Sequence, residues 1–386
     1  MFITNFDDAL AANVVGAIKN RVKQRRMPNL YIPCPDKEAS RIEWDKFYLR
    51  ELINEINPKY NPINFMAVTD FEIKNAIDYF EKQNIEIVIK PRNLTGGKGV
   101  KVMGKHFDSF LEGQQYAQQV LLDLSQTGVE IQEKLDGHEF TLQIFTDGKT
   151  LIRPPATFDY PYREDGDKGP GTGGMGSFSM NFGENLPFIT NDDYDEAFNL
   201  MDSLILNLKE RGIDYKGILY PTFFKTTNGL KIVEINARGG DPELINILDL
   251  MEDDIDIGNV LKQIATGELI NNSVRFKQLA SAVIYLVSPG YGYKDTLDND
   301  ITFDLDHYSI ISNDCRIRFA ATKRVAGNKY KTVKTSRILA LSANGQKPWD
   351  ARKKIHNAIS ESFSGRISLD YRDDVAKKSY MLNLGK

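Results

Sequence analysis

Apolar residues recur at helical spacing across residues 7–25, where Leu10, Val14, Val15, Ile18 and Val22 share a face and the segment ends in basic residues. The pattern predicts a helix there and further helices over 44–56 and 70–83. The run IEIVIK at 85–90 reads as a strand that leads into a glycine-bearing turn. A short strand over 100–103 and a helix near 107–122 follow. Polar and apolar residues then alternate over 129–133, 139–146 and 150–153, which predicts strands, with Asp147-Gly148 as a hairpin turn. A helix over 192–211 precedes a second hairpin, 217–225 with 230–236, closed by Asn228-Gly229. Asp241-Pro242 marks a helix start, because proline is tolerated in a first turn. Past residue 272 the texture turns β-rich, at 280–287, 317–321 and 337–341, before a last helix over 348–359. This tail reads as a separate α+β domain.

Length and composition narrow the class. The chain has 386 residues, 41% hydrophobic and 26% charged, as expected of a soluble globular protein of two or three domains. Its 49 basic and 53 acidic residues leave a net charge of −4, which gives no sign of nucleic-acid binding. Cys34 and Cys315 lie far apart with no CxxC pairing, so reduced thiols and a cytoplasmic location are expected. The start of the chain lacks a secretory pattern, and no apolar run approaches the ~18 residues of a membrane span.

Candidate chemistry sits in glycine-rich and polar breaks between these elements. DGDKGPGTGGMG (165–176) has so few side chains that its backbone N–H groups can close around phosphate. Lys90 ends a predicted strand, and Lys98 lies in Thr95-Gly96-Gly97-Lys98-Gly99. Cations and glycines together suit a triphosphate, although the spacing is not that of a Walker loop, and a plain hairpin turn with solvated lysines is the alternative. Glu133, Lys134 and Leu135 end another strand; periodicity alone makes them an ordinary turn with exposed charges. Glu234 and Asn236, two apart on a strand, face one side, and their oxygens suit Mg²⁺. Arg238 continues that face and could hold a phosphoryl group or a carboxylate; a solvated polar strand is the bland alternative. His106, His138, His307 and His356 are isolated in sequence and read as non-catalytic. With no nucleophile motif, catalysis would rest on positioning and electrostatics.

Several segments, in register, resemble the phosphoribosylamine–glycine ligase (glycinamide ribonucleotide synthetase) family of the ATP-grasp superfamily. The family's VIKADGLAAGKGV compares with 88–100 here, EEFLDGEE with 132–139, DTGPNTGGMG with 167–176 and VIEFNARFGDPE with 232–243. RILALSANG at 337–345 resembles the family's RVLAVTALG, and SLDYRDD at 368–374 resembles its ending. The resemblance implies an α/β and α+β multidomain chain: an ATP-grasp domain over 41–270, with a mobile glycine-rich flap at about 68–135, and a C-terminal α+β domain over 271–386. Residues 1–40 would be the remnant of an N-terminal substrate domain whose GxGGREHA-type loop is not found here.

The resemblance also implies a reaction. ATP phosphorylates an amino-acid carboxylate, and an amine attacks the acyl phosphate to form an amide. By position Lys46, Lys90 and the flap residue Lys98 would meet ATP phosphates, Glu133, Lys134 and Leu135 adenine, and Glu139 ribose. Glu234 and Asn236 would hold Mg²⁺, or Mn²⁺ in its place. Arg238, with Lys98, would act on the acyl phosphate. Asp159, Gly173, Gly174, Met175 and Asp241 would form the amino-acid site, for glycine by analogy. A monomer or homodimer is expected. The substrate side departs from the family. Asp159-Tyr160-Pro161-Tyr162 replaces its DHKR, Gly171 replaces an Asn, Leu244-Ile245 replaces its TQ, and Pro91-Arg92 replaces Ala-Asp. The amine acceptor therefore stays open, phosphoribosylamine or another amine such as a modified nucleotide. A phosphotransferase and a non-catalytic ATP-binding regulator are the alternatives from other classes.

Overall fold

The computed structural model describes residues 1–4, 6–25, 30–95, 99–123, 125–293, 301–363 and 369–384. The expected first helix is broken in two, α1 (Asp7–Ala11) and α2 (Val14–Arg25), because Asn13 adopts a left-handed backbone with φ 60°. Leu10 and Val15 are nevertheless buried in the main core. Helices α3 (Arg41–Trp44) and α4 (Lys46–Ile56) follow, and the Asp45 carboxylate caps α4 by accepting from Tyr48 N.

A four-stranded antiparallel sheet comes next. Its strands are β1 (Asn64–Ala67), β2 (Ile87–Pro91), β3 (Lys101–Val102) and β4 (Val129–Glu133), in the order β1-β4-β2-β3. Helices α5 (Asp70–Gln83) and α6 (Phe110–Leu122) cover it. Ile73, Ile77 and Phe80 of α5 and Ala117 and Val120 of α6 pack on Ile87, Ile89, Val129 and Ile131, a core separate from the main one. Thr69 and Glu72 form a capping box that fixes the start of α5.

The central nine-stranded sheet is built from distant parts of the chain. β5 (His138–Thr141) and β6 (Ile144–Thr146) both pair with β11 (Gly217–Thr226), which turns back into β12 (Gly229–Asn236). The strand expected over 139–146 is interrupted between β5 and β6, opposite Pro221, which has no N–H to give to the ladder. The strand expected over 150–153 is reduced to one bridge, Leu151 to Thr146, ahead of Pro154-Pro155. The rest of the path runs β12-β11-β5-β7-β10-β13-β18-β15, with β7 (Thr157–Asp159), β10 (Gly176–Ser179), β13 (Ala280–Val287), β15 (Cys315–Phe319) and β18 (Arg337–Gly345). Within the tail, read from sequence as a separate α+β domain, β13, β15 and β18 join the central sheet, while β14 (Thr302–Asp304), β16 (Thr322–Ala326) and β17 (Lys329–Thr332) form a small antiparallel sheet of their own in the order β14-β17-β16. β13 is buried at every position and needs partners on both edges, and it finds them in β10 and β18. One apolar core runs from Leu10 to Leu384.

The glycine-rich segment is not an open loop either. β8 (Tyr162–Glu164) and β9 (Lys168–Gly171) form a hairpin. The buried Arg372 holds it, donating to Tyr162 O at 3.0 Å and to Asp167 at 2.9 Å. No helix among the described residues is long and apolar enough to cross a membrane.

Candidate active site

A cleft of about 640 Å³ opens between the two sheets. β12 forms its floor with Glu234 and Asn236; α4 contributes Lys46 and Arg50; Leu94, Thr95 and Val100 approach from the four-stranded sheet. Asp159, Gly173, Tyr220, Asp241, Glu243 and Arg337 close the far end.

At the near end the charges are basic. Lys46 donates to the carbonyls of Arg92 and Asn93 at 3.5 Å. Lys90 is buried beside it, and burial pushes its ammonium down to about 8, with the Glu130 carboxylate opposing that fall most strongly. Gly96, Gly97 and Lys98 of the flap turn lie outside the described residues.

On the floor, the two-residue spacing does what a strand dictates. Asn236 Nδ2 donates to Glu234 Oε1 at 3.2 Å, and Arg238 Nη2 donates to Asn236 Oδ1 at 3.2 Å. Arg238 is held from the other side by Glu43, Nε to Oε1 3.1 Å, whose second oxygen accepts from Ala237 N at 3.0 Å. Burial raises Glu43 to about 7, although Arg238 draws it down. Among the described residues no cluster of three or more His, Cys, Asp or Glu is poised for a metal. A carboxylate and an amide oxygen fit a hard divalent ion that takes its remaining ligands from phosphate and water.

The far end is acidic. Asp159 is raised well above the carboxylate range by burial and by Glu243 and Glu139. Glu139 is raised to about 8 by burial, Glu234 and Glu243. Glu243 accepts from the Tyr220 hydroxyl. Asp241 accepts from Tyr285 OH at 2.7 Å and from Arg337 Nη2 at 3.0 Å. Arg337 Nη1 also donates to Asp241 O at 2.7 Å and to Gly173 O. Gly174 has φ 94°, and a Cβ there would sit 2.6 Å from Pro242 Cδ, so the turn beside Asp159 requires glycine.

The structure brings Lys46, Glu139, Asp159, Gly173, Glu234, Asn236, Arg238 and Asp241 to one cleft. Met175 is different: it is fully buried among Val283, Tyr285, Val287 and Ala340, an apolar plug facing core rather than a substrate contact. The connector after β4 also departs from expectation. Glu133 N and Lys134 N already donate to Ile63 O and Glu86 O, and the Lys134 ammonium pairs with Glu86 at 2.6 Å. Of the three, only the Leu135 N–H has no partner among the described residues. Sequence reasoning missed Glu43, Arg50, Tyr285 and Arg337. The one available signal was a charged residue, Arg337, opening the otherwise apolar run ILALSA.

Comparison with known proteins agrees with this architecture. Residues 44–244 match the family described as phosphoribosylglycinamide synthetase, ATP-grasp (A) domain. The phosphoribosylamine–glycine ligase of Methanocella arvoryzae is 37% identical over 308 residues, 80% of this chain and 67% of that one. That of Methanopyrus kandleri is 33% identical over 374 residues, 96% and 80% of the two chains. Among solved structures, phosphoribosylamine–glycine ligase from Thermotoga maritima superposes with a TM-score of 0.72 at 24% identity, covering 89% of this chain and 81% of that one. The biotin carboxylase domain of the Hydrogenobacter thermophilus 2-oxoglutarate carboxylase, solved with MgADP and bicarbonate, gives 0.63 at 14% identity, covering 90% and 72%. These two structural likenesses speak for the fold.

Proposed function

The chain belongs to the phosphoribosylglycinamide synthetase family of ATP-grasp ligases, and from that membership we propose that it joins glycine to phosphoribosylamine, giving glycinamide ribonucleotide, ADP and phosphate. Lys46 and Lys90 hold the ATP phosphates. Glu234 and Asn236 would hold Mg²⁺, or Mn²⁺ in its place, which would supply positive charge to the phosphate oxygens. A glycine carboxylate oxygen attacks the γ-phosphorus and ADP leaves. The phosphoribosylamine nitrogen then attacks the acyl carbon, phosphate departs, and the nitrogen gives up a proton. Arg238, oriented by Glu43 and Asn236, counters the negative charge at the reacting carboxylate. Asp159 and Asp241 receive the glycine ammonium.

The observation that carries this reading is the row Glu234–Asn236–Arg238, midway along a cleft that is basic at one end and acidic at the other. The test is ADP release from Mg-ATP and glycine, with and without freshly made phosphoribosylamine. Amine-dependent ADP release, with glycinamide ribonucleotide as product, is the expected result. The sequence Asp159-Tyr160-Pro161-Tyr162 favours a second reading, in which the same acyl phosphate meets a different amine. ADP release with glycine and hydroxylamine, but none with phosphoribosylamine, would select it. A phosphorylated product without an amide would sink both.

A further inference from the structure

One helical turn beyond Lys46, Arg50 is 1% exposed, and its guanidinium meets five acceptors. Nε donates to Glu130 Oε1 at 2.6 Å. Nη1 donates to Asn61 Oδ1 at 3.3 Å and Ile232 O at 2.9 Å, and Nη2 to Gln132 Oε1 at 3.4 Å and Val233 O at 2.7 Å. Glu130 and Gln132 belong to β4 of the four-stranded sheet. Ile232 and Val233 belong to β12 of the central sheet, directly before Glu234. One side chain therefore joins both walls of the cleft.

Glu130 has its own second relation. It is fully buried, it stands opposite Lys90 in the β2–β4 register, and its Oε2 has no hydrogen-bond partner among the described residues. As a stabiliser, an ion pair at this depth does no better than well-packed apolar residues of the same volume. Its value lies in what it fixes in place. A lysine in place of Arg50 could keep a charge near Glu130, yet its three donors on one atom could not span carbonyls and carboxylate across two sheets.

We infer that Arg50 and Glu130 are a positioning pair for the ATP reaction: Arg50 locks the backbone that presents Glu234 to the sheet that carries Lys90, and Glu130 is the fixed counter-charge of Lys90. The inference rests on the ligase reading. It separates two effects that a purely structural ion pair would not. Loss of the Glu130 charge acts on ATP affinity, through Lys90. Loss of the Arg50 fork acts on turnover, through the placement of Glu234. The charged groups around Lys90 include Glu130, Arg50, Glu234, Lys46 and Glu139, and Glu130 acts most strongly in favour of the ammonium.

The experiment measures Mg-ATP affinity by calorimetry and hydroxylamine-trapped turnover with glycine, for the parent, E130Q and R50K. For E130Q, ATP binding roughly tenfold weaker than parent is expected, with the deficit larger at pH 8 than at pH 6.5. For R50K, kcat should fall roughly tenfold or more while ATP affinity changes less. E130Q that binds ATP like the parent at both pH values, or folded R50K with parental kcat, overturns the inference. Should R50K fail to fold, E130Q decides alone. A parent that binds no Mg-ATP at either pH sinks the ligase reading, and this inference with it; a parent that binds, with variants that match it, sinks the inference alone.

Discussion

Beneath the four-stranded sheet, Lys46, Arg50 and Lys90 share the buried Glu130 carboxylate, whereas at the other end of the cleft Asp241 and Asp159 face Arg337, and Glu243 and Glu139 crowd Asp159. Burial acts on both groups with opposite results. It lowers Lys90 to about 8 and raises Glu139 to about 8, because in each case the charged form is the one that loses water. Each end is thus incomplete in its own sense. The basic end gains from a polyanion, and the acidic end gains from an ammonium or a metal ion. On the proposed function, the difference would give the cleft a direction, with phosphates at one end and the amino acid at the other.

Four measurements would break or sharpen that contrast. The largest effect is expected where the two ends meet. Glu234→Gln should lower turnover by on the order of 10³-fold with the fold intact, since a neutral amide no longer balances a divalent ion. Activity close to parental in a folded variant would remove the metal assignment. Lys90→Ala should weaken ATP binding by about 10- to 100-fold and leave the KM for glycine within a few-fold. Equal losses for both substrates would erase the distinction between the ends. Arg337→Lys probes the other end: the KM for the amino acid should rise about tenfold with ATP affinity unchanged, because lysine cannot hold Gly173 O, Asp241 O and the Asp241 carboxylate together. A matching rise in the ATP constant would assign Arg337 to the whole cleft.

The smallest effect comes from a residue away from both ends. His356 is half-buried, its Nε2 has no partner among the described residues, and burial lowers it to about 4 from 6.5. The unfolded chain takes up a proton at 6.5 that the folded chain refuses until about 4. Its stabilising contribution is therefore complete above pH 6.5 and lost as pH falls towards 4, on the order of 2 kcal/mol once solvent screening of the partly exposed ring is discounted. His356→Phe should flatten that part of the urea-midpoint curve and leave KM values unchanged. A change in substrate affinity instead would tie the helix that carries His356, Pro348–Ser362, to the cleft.

Local chemistry was readable in the sequence wherever one segment supplied it. The β11–β12 hairpin follows from Asn228-Gly229 and alternation, and the shared face of Glu234 and Asn236 follows from strand period. What could not be read depended on pairing at a distance. No periodicity tells that β13 lies beside β10, or that Arg337 reaches Gly173. Glu43 carries no motif; it matters because α3 lies against the end of β12. Position in a motif assigns Met175 to the amino-acid site, but it does not tell where a side chain points, and this one points into an apolar core. The hairpin within the glycine-rich segment was hidden because it depends on Arg372 near the other end of the sequence.

The order of strands in the central sheet bears on synthesis as well as on chemistry. A ribosome delivers β5, β7, β10, β11 and β12 well before β13, so the nascent chain holds the floor of its catalytic cleft while β10 still has a bare edge. Such an edge is a template for other strands until Ala280–Val287 emerges and covers it. A premature stop before β13 would therefore release not a smaller ligase but a sticky fragment, and the cell would meet it as a client for chaperones.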